Sequence, residues 1–183
     1  MRWYWIDRFV EFESGVRAKA VKNISLAEDH LHDHFANFPM MPQSLVIEGL
    51  AQTGGLLVGE YNHFVEKVIL AKIPKVCFFS DALPGDTLTY TATIEYVKEE
   101  GAMVAATSHK GDQLHAEIEI LFSHLNEPRL EGLFDPENFL RMMRLLGMFD
   151  VGHAADGSPL KPPRQLLERI AAKQQQQLAA AKR

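Results

Sequence analysis

Ser44–Tyr61 is apolar on nearly every helical face, and this segment restricts the fold more than any other in the chain. Leu45, Val46, Ile47, Gly49, Leu50, Ala51, Leu56, Leu57 and Val58 leave no wide polar stripe. A helix patterned in this way must be enclosed on all sides. Pro39 and Pro42 punctuate its approach and let it begin near Gln43.

The segments around it supply the enclosure, because they alternate with a period of two. In Asp86–Lys98, Leu88, Tyr90, Ala92, Ile94 and Tyr96 share one face, and Thr87, Thr89, Thr91, Thr93 and Glu95 share the other. Leu114–Ser123 sets Leu114, Ala116, Ile118, Ile120 and Phe122 against His115, Glu117 and Glu119. Ala102–His109 lies between these two, joined to them by Glu99-Glu100-Gly101 and Lys110-Gly111-Asp112, which are hairpin signals. Val16–Ile24 alternates and pairs with Asp7–Glu13 across Ser14-Gly15, while Ile69–Phe79 reads as a more buried strand. The expectation is an α+β fold: five or six mostly antiparallel strands wrapped around one long central α-helix.

This body occupies residues 1–125 of 183. The remaining residues, 126–183, read as a helical C-terminal extension: a Met-rich apolar helix over 136–149, a Gly/Pro linker over 150–163 and a basic helix over 164–183. The Met-rich helix is expected to pack on the body or on a neighbouring subunit. Residues 1–125 carry 10 Lys and Arg against 17 Asp and Glu, whereas 161–183 carry 6 against 1. An acidic body argues against nucleic acid as a partner. A single cysteine excludes an internal disulfide or a Cys-based zinc cage. No apolar run reaches the roughly 20 residues that a membrane span needs, and the early charges do not suit a signal peptide. A soluble cytoplasmic protein is the expectation.

Glu48 is a carboxylate set among the apolar residues of the central helix, four residues before Gln52. A carboxylate in such surroundings must be paired, protonated or functional. It lies four residues after Ser44, not the three of a capping box, so interaction with the helix dipole is its structural reading. Upstream, His30, His32 and His34 alternate within one short stretch. No second cluster completes a metal shell, so no metal is expected.

The stretch from His34-Phe35-Ala36 through Pro39, Pro42-Gln43-Ser44-Leu45 and Glu48-Gly49-Leu50-Ala51-Gln52 resembles one family signature. It is similar to that of the FabZ-type β-hydroxyacyl-acyl-carrier-protein dehydratases, H-F-P-x-x-P-x-x-P-G-x-L followed by E-A-x-A-Q. Ile6-Asp7-Arg8, Val21-Lys22-Asn23-Ile24-Ser25 and Leu83-Pro84-Gly85-Asp86-Thr87-Leu88 also resemble its segments, in the family's order. The resemblance implies the hotdog fold, in agreement with the pattern reading.

It further implies removal of water from a 3-hydroxyacyl thioester, giving a trans-2-enoyl thioester, with no cofactor. His34 would be the base, since its pKa lies near neutrality. Glu48 would be the acid, since burial favours a protonated carboxyl. Phe35, Pro42, Gln43, Ser44 and Gln52 would contact substrate, with the N–H groups of Gln43 and Ser44 as the oxyanion site and Gln52 hydrogen-bonded near Glu48. The implied partners are an acyl thioester, on acyl carrier protein or coenzyme A, and a second copy in a homodimer, also arranged as a trimer of dimers. The two catalytic residues then come from opposite subunits. Carrier proteins are acidic, so the basic 161–183 segment is expected to attract one.

Ala36, Gln43 and Gly49 depart from the pattern, where the family has Pro, Gly and Ala. Ala36 frees a loop that proline would fix. The Gln43 side chain is expected near the substrate, and Gly49 is expected to leave extra room. Met40 and Met41 read as wall of the tunnel or of an interface, and Cys77 as a buried structural thiol. A hotdog thioesterase and a non-catalytic acyl-binding protein are the alternative readings.

Overall fold

The computed structural model describes residues 3–33, 37–125 and 135–180. A two-stranded hairpin, a three-stranded meander with a further strand at its edge, and a central helix form the body. β1 (Arg8–Glu13) turns at Ser14-Gly15 into β2 (Arg17–Asn23), as the alternation predicts. A short helix, α1 (His30–Asp33), precedes the central helix α2 (Gln43–Tyr61). β3 (Lys67–Phe78), β4 (Thr87–Lys98), β5 (Gly101–Lys110) and β6 (Gln113–Leu125) come next.

The sheet order is β3-β6-β5-β4-β2-β1-β7, and every pairing within the body is antiparallel. The sheet wraps α2 in the hotdog arrangement. Val46, Leu50, Leu57 and Val58 of α2 are fully buried against it. Each such aliphatic side chain contributes about 1.5–3 kcal/mol by leaving water. Helix α2 begins where expected because Pro42 adopts an extended backbone, φ −53° and ψ 134°, while its carbonyl accepts the first helical hydrogen bond, from the Val46 N–H at 3.2 Å. Met41 is buried in the core, and its N–H donates to Ala82 O at 2.8 Å.

The strand faces obey the period-two pattern except at bulges. Leu88, Tyr90 and Ala92 point inward and are fully buried. A register shift between Ile94 and Tyr96 turns Tyr96 outward, against expectation. On β6, Leu114 pairs with His109 and Ala116 with Ser108, so His115 is the extra residue of a bulge. A bulge re-aims its side chain. His115 is therefore 1% exposed, although the alternation puts it on the polar face.

β3 is also placed differently from expectation. It is the edge of the sheet, paired on one side with β6, and Ile69, Leu70, Val76 and Phe79 are exposed on or beside it. Cys77 lies on this strand and is exposed, so it is not the buried thiol expected.

The extension folds back onto the body. The expected 136–149 helix is two: α3 (Pro136–Leu145) and α4 (Met148–Val151). Gly147 separates them in the left-handed conformation, φ 68°, which costs a residue with a side chain free energy. The 150–163 stretch contains β7 (Gly152–His153), which runs parallel to β1 as a seventh strand. Phe9 N–H donates to Leu146 O at 2.8 Å, and Ser14 N–H to His153 O at 2.9 Å. The last helix is α5 (Arg164–Ala180). Leu140, Met143, Leu146, Met148, Leu160 and Leu166 join the same core as α2 and the sheet. Among the described residues no helix is long and apolar enough to cross a membrane.

Candidate active site

Glu48 stands on the second turn of α2, and Gln52 stands one turn further along the same face. Gln52 Nε2 donates to Glu48 Oε1 at 2.9 Å and to Trp3 O at 2.9 Å. Gln52 Oε1 accepts from the Trp5 N–H at 2.9 Å. With one oxygen accepting and the nitrogen donating twice, the amide has a single orientation. It ties the chain before β1 to the helix and holds the Glu48 carboxylate in place. The family resemblance implies this bond, and the helix allows it because residues i and i+4 are neighbours on one face.

The carboxylate faces a cleft of about 310 Å³ that runs along α2. Ala51, Gly55 and Gly59 continue the α2 side of the cleft past Glu48 and Gln52. Val68 and Leu70 of β3 and Phe122 of β6 form the sheet side, with Phe64 from the turn after α2 beside them. Phe139, Met142 and Leu146 from the α3 region, with Leu166 and Arg169 from α5, form the far side. A mostly apolar hollow with a few polar groups, here Glu48 and Gln52 together with Glu66, Lys67 and Arg169, is the usual form of a small-molecule site.

Among the described residues no side chain caps the start of α2, and no acidic residue occupies its first turn. Its N–H groups thus present the positive end of the helix dipole. Gln43 and Ser44 are exposed there and Pro42 is half-buried. None of these three lines the cleft, so the Gln43 side chain does not intrude on it. His34 and Phe35 lie outside the described residues.

Gly49 does not leave spare room. A β-carbon at this position would clash with the Tyr90 ring, 2.9 Å from Cζ, and would sit 2.8 Å from Trp5 O. Tyr90 has filled the space, and burial pushes its phenol pKa far up.

Two kinds of residue escape the sequence reading. One is Glu60, a second carboxylate on α2, which is 3% exposed and whose pKa burial raises. A hydrogen bond from Ser14 and the nearby His63 oppose that rise. The other is the set Trp3, Phe139, Met142, Leu146, Leu166 and Arg169, which reaches the cleft from both ends of the chain. The Met-rich apolar pattern signals that α3 packs on something, but not on what. Leu166 is buried, so α5 is part of the core as well as a carrier of basic residues.

Comparison with known proteins places the body of the chain. The family model of the FabA-like domain matches residues 3–118. A 3-hydroxyacyl-acyl-carrier-protein dehydratase, FabZ, of Desulforamulus reducens is 32% identical over 119 residues, which is 64% of this chain and 84% of that one. Among solved structures, an uncharacterised protein of Pyrococcus horikoshii aligns with a TM-score of 0.57 and 15% identity, covering 72% of this chain and 92% of its own. The dehydratase heterocomplex ApeI:P of Xenorhabdus doucetiae aligns with a TM-score of 0.56 and 13% identity, covering 72% and 89%.

Proposed function

The chain belongs to the FabA-like domain family, and on that premise we propose that it removes water from 3-hydroxyacyl thioesters to give trans-2-enoyl thioesters. One observation carries the reading: a carboxylate, Glu48, is fixed by Gln52 beside an elongated apolar cleft. The reaction needs an acid at one carbon of an aliphatic chain and an apolar space for the rest of it.

In the proposed step, His34 takes the C2 proton. The electron pair of that C–H bond forms the C2=C3 double bond. The C3–O bond breaks, Glu48 delivers a proton to the departing hydroxyl, and water leaves. The N–H groups of Gln43 and Ser44, at the uncapped start of α2, hold the thioester oxygen as charge builds on it. Phe35 and Pro42 complete the approach. No cofactor is required.

The acyl thioester is delivered on acyl carrier protein. Exposed Arg169 of α5 lines the cleft and gives an acidic carrier a basic contact there, whereas Arg164 is ion-paired with Glu168. The unpaired side of β3, with exposed Ile69, Leu70 and Val76, supports a homodimer in which a second copy covers that edge. Each site would then combine His34 of one protomer with Glu48 of the other.

The test is hydration of trans-2-enoyl thioesters of several chain lengths, monitored by loss of enoyl absorbance. Wild-type protein should turn over, and His34→Ala and Glu48→Gln should each lower kcat by about 10²–10⁴-fold. A wild type inert on every chain length would overturn the reading. Release of free thiol without hydration would instead identify a thioesterase.

A further inference from the structure

The side of the cleft that faces α2 belongs to the extension. Phe139, Met142, Leu146, Leu166 and Arg169 all lie beyond residue 118, where the family match ends. Two of them, Phe139 and Met142, are half-buried and packed against the core. The Phe139 ring meets that of Phe64 edge-on, with centroids 5.1 Å apart, and Phe64 lines the same cleft.

One carboxylate holds this wall together. Asp135 Oδ1 accepts from the Asn138 N–H at 2.9 Å and caps α3. Its other oxygen, Oδ2, pairs with Lys173 of α5. Leu166 anchors the first turns of α5 in the core. The two helices therefore keep a defined spacing over the cleft.

We propose that α3 and α5 form the wall that sets how long an acyl chain the cleft accepts, with Met142 and Phe139 as the length-determining side chains. The inference rests on the reading of the cleft as an acyl-thioester site. The reacting carbons must lie at Glu48, so the methyl end of the chain runs along α2 toward Gly59. That path is about 16 Å along the helix axis. Glu48, Gln52, Gly55 and Gly59 form its floor, and α3 and α5 stand over it. The ligand is an acyl chain, because the lining beyond Gln52 is dominated by aliphatic and aromatic groups, with Glu66, Lys67 and Arg169 as its charged residues.

The experiment measures binding of saturated acyl-coenzyme A thioesters, from butyryl to palmitoyl, to the full chain by calorimetry. Each methylene that enters the cleft should tighten binding by about fourfold, up to the length at which the wall is met. Met142→Trp should move that limit to shorter chains and weaken binding of longer ones by about tenfold. Met142→Ala should move it to longer chains. Phe139→Leu gives a milder widening and serves if Met142→Trp does not fold, as judged by circular dichroism. One shared length profile in folded wild type and variants overturns the proposal, as does the absence of saturable binding at any length. A shifted binding profile without enoyl hydration upholds the wall and sinks the dehydratase reading. Hydration with an unshifted profile does the reverse.

Discussion

The side-chain amide of Gln52 bonds the Glu48 carboxylate at 2.9 Å while its other bonds, to Trp3 O and Trp5 N–H, fasten the N-terminal segment to α2. Glu48 is thereby positioned by a residue that is itself positioned from outside the helix. Gln52→Ala should lower kcat for enoyl hydration by about 10–100-fold with a smaller change in KM, because the acid loses its aim. The same change should cost about 1–3 kcal/mol of stability through the lost backbone bonds. Steady-state kinetics and urea denaturation of one preparation check both.

Gly49→Ala tests the contact with Tyr90. Alanine normally gains about 1 kcal/mol over glycine inside a helix. Here the new methyl group meets the Tyr90 ring and Trp5 O. Overpacking of this kind costs about 1–3 kcal/mol, so the net effect should be destabilising. Adding Tyr90→Leu should recover part of the loss, and a double-mutant cycle in urea measures how much.

His115 gives the fold an acid-side weakness. Its Nδ1 lies 3.0 Å from Ser108 Oγ, and its ring stacks edge-on against Phe78. Burial first, and Lys110 second, hold its pKa below the usual 6.5, while Asp86 and Asp81 oppose them. The unfolded chain therefore binds a proton that the native chain refuses, and stability falls as pH drops through about 6.5. His115→Asn should flatten the dependence of melting temperature on pH between neutrality and pH 5. A slope equal to that of wild type would count against this role.

Glu60 acts with the opposite sign. Burial raises its folded pKa above the usual 4.5, so its contribution is present below that pH and is lost as pH rises through the folded value. Glu60→Gln removes the ionisation. The variant should gain stability relative to wild type at pH 7 and lose that advantage near pH 4. Denaturation curves at the two pH values decide the matter.

The local patterns were legible where one residue's neighbours along the chain determined its place. The apolar Ser44–Tyr61 run foretold an enclosed helix, and the Leu88, Tyr90 and Ala92 alternation foretold the inward face of β4. The family motif implied the bond between Glu48 and Gln52, which i,i+4 spacing on a helix allows. At bulges this logic failed: one inserted residue reverses the facing of the side chains around it, so Tyr96 emerged and His115 was buried. The apolar content of β3 was visible too, but burial within the chain and cover by another copy leave the same signature in a sequence. The edge position is a fact of sheet order alone.

The sequence by itself thus determined the family, the hotdog body and the helix that carries Glu48, because these depend on short-range periodicity and a motif in fixed register. Only the tertiary structure decided where the extension goes. Gly147 breaks its first helix, β7 joins β1, and α3 and α5 come to rest over the cleft. No local pattern encodes that destination. A Met-rich apolar face buries equally well against any complementary surface, and much of the cleft it borders comes from residues more than 70 positions away, Glu48 and Gly59 among them.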